Sequence, residues 1–298
     1  MPGVLAEEMI KEDPMTVVEE LREKLGEIEK ITDQEWQASL DDRKKKEIEF
    51  HDRDRERSRR ENLASTDKDT FERFYGNRKY YSATQTSNEY VNRWIATQAK
   101  GKVFLDYACG NGKNAIAAAK AGAALAIGLD ISPVSVEICK EKAREAGVTS
   151  NTHFVQADAE NTLLPPNSVD AILCSGMLHH LDLSYAFPEL RRILAPGGKI
   201  LAVEALDYNP LIKLYRMMTP QMRTEWEKAH ILSLKDVGFA KRFFQTGEIR
   251  YWHITSILSP HLKFLEPLFN GVDKALTKVP WVQRMAWIFT FELIKPAS

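Results

Sequence analysis

The N-terminal segment alternates apolar and charged positions with the period of a helix. The apolar positions recur at steps of three and four residues, which predicts one amphipathic helix. They are Val18, Leu21, Leu25 and Ile28. A second helix is predicted after the capping box of Thr32 and Glu35, and it continues through almost pure charge to Arg60. The apolar stripe is too short for a coiled coil, so we expect it to pack on the body of the protein or on a second subunit.

From Val103 onward the pattern changes, because short apolar runs alternate with helical segments. This alternation predicts βαβ units with right-handed crossovers, and therefore an α/β fold with a doubly wound parallel sheet. The predicted strands are 103–107, 125–130, 153–157, 169–174, 199–205, one near 241–244, and 287–293. The predicted organisation is a helical extension at 1–70, a lid at 71–100 and a main domain at 101–298 with a cap insertion at about 248–280.

Composition and charge place the chain among globular proteins. With 44% hydrophobic and 28% charged residues, a collagenous or wholly disordered chain is excluded. The net charge is −1, but residues 1–40 hold 4 basic and 11 acidic side chains, a net charge of −7. Three scattered cysteines fit a reducing cytoplasm, and neither a signal peptide nor a membrane span is predicted.

Acidic residues and glycines stand where the first three predicted strands end. Ligands of an open parallel sheet bind beyond the carboxyl ends of the strands, so these residues are expected to share one site. Gly110 and Gly112, after the first strand, let the backbone approach a ligand closely. Asp106 suits a cationic ligand better than a pyrophosphate. Asp130 suits the two hydroxyls of a ribose, and Asp158 can accept a hydrogen bond from an adenine amino group.

The glycine loop alone is compatible with more than one function. Gly110 and Gly112, with Ala115, also fit the dinucleotide fingerprint, so a nicotinamide-dependent oxidoreductase is one alternative. A non-catalytic scaffold that recruits a partner through its N-terminal helices is another.

Residues 103–205 resemble the class I S-adenosylmethionine-dependent methyltransferases. The motifs that carry the resemblance are Val103–Gly112, Gly128–Ser132, Gln156–Ala159, Val169–Leu173 and Leu190–Gly198. The resemblance implies a Rossmann-like sheet of seven strands with an antiparallel last strand, and S-adenosylmethionine as the cofactor. The chain departs from the family at Ala108, where a glycine is usual.

The resemblance also implies a role for each matching residue. By position, the cofactor-binding residues are Asp106, Ala108, Gly110 and Gly112 at the methionine part and the sulfonium, Asp130 and Ile131 at the ribose, Asp158 and Ala159 at the adenine, and Cys174 or Ser175 at the amino group.

Candidates for a general base follow from position and residue type. His179 and His180 come just after the fourth strand, and histidine is the usual base near neutral pH; local packing is the alternative. Tyr81, in the predicted lid, is a further candidate. His51 is interpreted as a surface residue, and the mixed-charge run Arg53–Arg60 as a solvated helix face.

The segment after the fourth strand narrows the classes of acceptor molecule that the sequence allows. It lacks the motifs of enzymes that methylate nucleic-acid bases, and it lacks the carboxylates of metal-dependent catechol-type enzymes. The sequence therefore predicts metal-independent methyl transfer to the O, N or C atom of a small apolar or aromatic acceptor in the cytoplasm. No nucleic-acid partner is expected, and the N-terminal helices are candidates for a homodimer contact.

Overall fold

A computed structural model describes residues 14–60, 83–220 and 223–297 of the 298-residue chain. The helices in these ranges are α1 Pro14–Ile28, α2 Asp33–Ser39, α3 Asp42–Arg60, α4 Gln85–Ala99, α5 Lys113–Lys120, α6 Pro133–Glu145, α7 Leu183–Ile193, α8 Pro210–Met218, α9 Glu225–Ala229, α10 Leu234–Ala240 and α11 Glu266–Leu276. The strands are β1 Val103–Tyr107, β2 Leu125–Asp130, β3 Thr152–Gln156, β4 Val169–Ser175, β5 Leu194–Ala205, β6 Gln245–Trp252 and β7 Ile288–Ile294.

The seven strands form one sheet in the order β3-β2-β1-β4-β5-β7-β6. The central pairs are parallel, and β7 runs antiparallel to both β5 and β6. The predicted doubly wound sheet with an antiparallel last strand is thus confirmed. Because β1 lies between β2 and β4, the strand order reverses at β1, and a ligand site is expected at the carboxyl ends of these strands.

Two sequence predictions about elements are wrong. The strand expected at 241–244 is a turn after α10, because Phe244 anchors the end of that helix in the core. The actual edge strand β6 follows it and occupies the first residues of the predicted insertion. The single charged helix predicted after Thr32 is two helices, because Leu40 takes an extended conformation and ends α2.

The core lies on both faces of the sheet. Every residue of β1 and β2 is buried, as expected for parallel strands covered on two sides. On one face α4 packs Trp94 and Ile95 against Phe104. On the other face, the α1 stripe residues Leu21 and Leu25 belong to the largest buried cluster. The stripe therefore packs on the body of its own chain, and homodimerisation through the N-terminal helices stays a prediction.

Across residues 14–60, 83–220 and 223–297, no helix combines the length and the apolar character that crossing a bilayer requires.

Candidate active site

A cavity of about 480 Å³ opens at the carboxyl ends of β1, β2, β3 and β4, where the strand order reverses. Nine of the sequence-predicted site residues line it: Asp106, Ala108, Gly110, Asp130, Ile131, Asp158, Ala159, Ser175 and His180. The volume is within the range of ordinary small-molecule and cofactor sites. Residues from four strand ends thus meet in one cleft, as the sheet topology requires.

Asp130 fixes the glycine loop of this cavity. One of its carboxylate oxygens accepts a hydrogen bond from the Gly110 backbone N–H at 2.8 Å, and the other accepts from the Ser132 N–H at 3.0 Å. Ser132 in turn caps α6, since its hydroxyl accepts from the Ser135 N–H. The acid at the end of β2 therefore holds the loop after β1 and the start of the next helix together.

Asp106 is the most deeply buried carboxyl group of the cavity lining. It accepts weak hydrogen bonds from the Asn114 side chain and the Ala115 N–H, both at 3.2 Å. Burial raises the pKa of Asp106 to about 7, and these bonds offset the effect only in part. A carboxyl group in this state gains from a nearby positive charge, which fits the cationic ligand expected from the sequence.

The glycine loop has the left-handed backbone that its sequence suggests. Gly110 and Gly112 have φ values of +55° and +72°. Ala108, where the resemblance leads one to expect glycine, has φ +54° and accepts the strain of that conformation. The departure therefore leaves the turn in place.

Three of the predicted residues that the structure describes are absent from this lining. Gly112 begins α5 as its N-cap, and a Cβ there would clash with the Cys139 side chain at 2.8 Å. Cys174 is fully buried in the core. His179 lines a second cavity. Tyr81 lies outside the described residues, so its role stays a prediction.

The sequence analysis missed the contribution of α3, which lies across the cavity. Lys44 forms ion pairs with Asp158 at 2.7 Å and with Glu160 at 2.9 Å. Arg43 pairs with Glu160 at 2.6 Å and donates to the His180 carbonyl at 2.9 Å. The Lys44 ammonium group thus uses the carboxylate that the resemblance assigns to an adenine amino group.

The same helix adds residues that were interpreted as solvated. His51, placed at the surface by the sequence analysis, lines the cavity, and so does Arg55 from the mixed-charge run. Glu47 contacts the rings of His180 at 3.0 Å and His51 at 3.6 Å. These side chains recur every three or four residues on one helix face. That spacing is the only signal in the sequence that could have marked them, and it does not show where the face docks.

The pKa values of the two histidines after β4 shift in opposite directions. Burial opposes the charged form of His179, but the carboxylates of Glu204 and Glu227 outweigh it and raise its pKa to about 9. Burial and the neighbouring His179 charge lower the pKa of His180. His180 is therefore the better placed of the two to accept a proton near neutral pH.

The second cavity, of about 420 Å³, lies next to the first, and Leu181 lines both. Its lining is mostly apolar, with the His179 ring as one of the polar groups. Apolar lining residues are Leu178, Leu181, Leu183, Trp226, Ile231, Leu232 and Phe239. By contrast, Phe264 of the predicted cap insertion and Trp281 just after it are largely exposed at the surface.

Comparison with known proteins matches the same part of the chain. Residues 104–198 match the methyltransferase domain family. The ubiquinone/menaquinone biosynthesis C-methyltransferase UbiE of Vibrio cholerae is 37% identical over 89 residues, which are 29% of this chain and 34% of that protein. The 27-O-demethylrifamycin SV methyltransferase of Amycolatopsis mediterranei is 35% identical over 34% of this chain and 37% of its own length. The match thus spans about a third of the length of each of these relatives.

Among solved structures, the [4+2]-cyclase SpnF is similar in fold. The likeness covers 72% of this chain and 83% of that one, with a TM-score of 0.52 and 20% identity. At this identity the likeness concerns the fold alone.

Proposed function

We propose that the chain is a class I S-adenosylmethionine-dependent methyltransferase, because residues 104–198 match the methyltransferase domain family, and that it transfers a methyl group from S-adenosylmethionine to a small acceptor. The observation that carries the proposal is the convergence of Asp106, Asp130 and Asp158 on one cavity at the switch point of the sheet.

The residues around this cavity fit the cofactor. Asp130 would accept from the ribose hydroxyls, with Ile131 beside it, and Asp158 with Ala159 would face the adenine. The groups that donate hydrogen bonds to Asp106, the Asn114 side chain and the Ala115 N–H, are neutral amides. A positive charge beside this carboxylate is therefore favourable. The cofactor, when bound, supplies a methyl group that its positive sulfur already activates.

The chain itself then positions the acceptor and keeps water away. The apolar second cavity supports the finer part of the proposal, a small apolar or aromatic acceptor, because it adjoins the first at Leu181. His180 is placed to take up a proton where the acceptor must lose one. Whether oxygen, nitrogen or carbon receives the methyl group follows from the acceptor.

Thermal melting with S-adenosylhomocysteine tests the proposal. The product should raise the Tm of the wild-type protein, and Asp130→Ala should weaken its binding about 10- to 100-fold, because hydrogen bonds to a charged group are lost. Asp170→Ala is the matched control. Asp170 also accepts a hydrogen bond from a backbone N–H, that of Val103 at 2.8 Å, but it lies at the amino ends of the strands, away from the cavity.

The proposal fails if neither S-adenosylmethionine nor its product shifts the Tm. A shift with NADH alone would favour the oxidoreductase. Cofactor binding without turnover on any acceptor would favour the scaffold.

Lys44→Met is expected to tighten the binding of S-adenosylhomocysteine by about tenfold. The variant keeps the aliphatic stem but removes the ammonium group that pairs with Asp158 and Glu160, so Asp158 becomes free to face the adenine amino group. Calorimetric titration measures the change, and Lys46→Met, an exposed lysine of the same helix, is the control. Equal or weaker binding by Lys44→Met would show that the ion pair does not compete with the cofactor.

A further inference from the structure

We propose that His179, His180 and Glu227 form a binding site for a divalent transition-metal ion between the two cavities. The inference goes beyond methyl transfer, and the site could be occupied whether or not the protein binds S-adenosylmethionine. A metal bound there would use the Nε2 lone pair of His180, so His180 would serve as the proton acceptor only in the metal-free protein.

The three side chains come from separate parts of the chain and converge on one point. His179 and His180 stand in the short 3-10 turn after β4, and Glu227 stands in α9. One ligand atom of each lies within 4.8 Å of those of the other two. Oε1 of Glu227 is 3.4 Å from Nε2 of His179 and 3.9 Å from Nε2 of His180. Ligands about 2.1 Å from a tetrahedral metal lie about 3.4 Å apart, so the first of these distances already matches and the second needs only a small closure.

The far side of each imidazole ring is held by another carboxylate. Nδ1 of His179 is 2.7 Å from Oε2 of Glu204, and Nδ1 of His180 is 3.0 Å from Oε2 of Glu47. A carboxylate on Nδ1 makes that nitrogen the donor and turns Nε2 toward the metal. This carboxylate–histidine arrangement is the usual support of histidine ligands in metal sites. Here it occurs twice.

Glu227 is also fixed in a position to ligate. Its Oε2 accepts the Thr224 backbone N–H at 3.1 Å in the capping box of α9, while its Oε1 faces the histidines. One oxygen therefore holds the helix start, and the other stays available.

The charge of the cluster favours a dication, because a protonated His179 offsets only one of its three buried carboxylates. Glu47, Glu204 and Glu227 are 5%, 2% and 8% exposed, so three carboxylates are buried together. The nearest basic side chains of α3 are already matched, since Arg43 and Lys44 pair with Glu160 and Asp158. A dication offsets negative charge that would otherwise be costly to bury.

The donor set selects the kind of metal. Two imidazoles and one carboxylate suit Zn²⁺, Fe²⁺ or Co²⁺, whereas Mg²⁺ and Ca²⁺ take oxygen ligands. Three protein ligands leave a position for water or for an oxygen of the acceptor, as in catalytic metal sites. His180 lines the first cavity and His179 the second, so the position lies where the two cavities adjoin.

A second set, Glu47, His51 and His180, has the same composition. In that set Glu47 already contacts His180 at hydrogen-bond distance, and it serves as the support of that ring. We therefore assign the metal to the set with Glu227.

Cobalt titration of the chelator-treated full-length protein tests the site. We expect one Co²⁺ per chain, with the visible absorption of a low-coordinate ion, displaced by Zn²⁺ but not by Mg²⁺. Glu227→Gln should weaken binding by about 100-fold or more. Glutamine serves equally in a capping box, so the helix start is kept. Glu225→Gln, an exposed acid two residues away, is the matched control and should bind like the wild type.

Two results would overturn the assignment. Binding that Glu227→Gln leaves unchanged would mean surface-bound cobalt. If His51→Ala lost cobalt binding while Glu227→Gln bound cobalt like the wild type, the metal site would be the set Glu47, His51 and His180. Should Glu227→Gln melt well below the wild type, His179→Asn provides the same test without touching α9, and it is also expected to lose the cobalt spectrum.

Discussion

Replacing Asp106 with asparagine is expected to stabilise the protein at neutral and alkaline pH while weakening its hold on the cofactor. Burial raises the pKa of this carboxyl group from 3.8 to about 7. Below pH 4 the carboxyl group is protonated in both the folded and the unfolded chain, so it does not change the free energy of unfolding. Between pH 4 and 7 the unfolded chain ionises first, so the free energy of unfolding falls as the pH rises.

Above pH 7 the whole penalty is present, and a shift of this size corresponds to about 4 kcal/mol. The asparagine has the same shape, can still accept the Ala115 N–H, and has no charge to bury. Urea unfolding of both proteins between pH 4 and 8 measures the effect. The difference in unfolding free energy should be near zero at the acid end and should grow to as much as about 4 kcal/mol in favour of Asp106→Asn.

The same substitution is expected to lower the affinity for S-adenosylmethionine, the opposite of its effect on stability. If Asp106 serves a cationic ligand, S-adenosylmethionine binds the ionised form, so its affinity for the wild type should rise through pH 7 and that of Asp106→Asn should stay low and flat. A stability difference that is constant over pH would contradict the burial argument. Such opposed effects are typical of a binding group held in an unfavourable state.

The sequence was sufficient for the parts of the site that are local to a strand and the loop after it. Asp106, Asp130 and Asp158 each lie at or within two residues of the end of a buried strand, and the alternation of strands and helices requires parallel strands whose ends share one edge. The acids therefore had to meet, whatever the details of packing.

The parts that the sequence could not predict depend on contacts between distant segments. Lys44 meets Asp158 across 114 positions, and Arg43 meets His180 across 137. A helix as charged as α3 gives no apolar stripe from which its docked face could be inferred. The edge strand β6 was missed for a related reason, since its half-exposed residues form no apolar run.

The metal proposal illustrates the same limit. The absence of clustered carboxylates after β4 led to the expectation of no metal site, but the fold gathers carboxylates from three other elements. Glu47 comes from α3, Glu204 from β5 and Glu227 from α9. Only the histidine pair is local, so two of the five side chains of the cluster could be recognised from the sequence.

Glu204→Leu is expected to be among the most destabilising single substitutions in the described part of the protein. Oε1 of Glu204 accepts the backbone N–H groups of Met177 at 2.8 Å and Leu178 at 2.7 Å, and Oε2 holds Nδ1 of His179 at 2.7 Å. Leucine fills the space but leaves three buried donors without an acceptor. Each such group costs about 1–3 kcal/mol, so a loss of about 4 kcal/mol or more is expected in urea unfolding.

Two companion variants separate this effect from ordinary packing. Glu292→Leu removes a carboxylate of β7 that, among the described residues, accepts one side-chain hydrogen bond, from Trp94 Nε1 at 2.6 Å, and should cost about 1 kcal/mol. Glu204→Gln keeps an oxygen for the Met177 and Leu178 N–H groups but presents an amide NH₂ to His179. Because Nδ1 must then accept, the proton moves to Nε2, and that nitrogen can no longer ligate. This variant should therefore stay folded, lose only about 1–2 kcal/mol of stability, and bind Co²⁺ about 10- to 100-fold more weakly than the wild type. Equal cobalt binding by Glu204→Gln and wild type would exclude Glu204 as the group that orients His179 toward a metal, while the stability series would still test its role as an acceptor for the turn after β4.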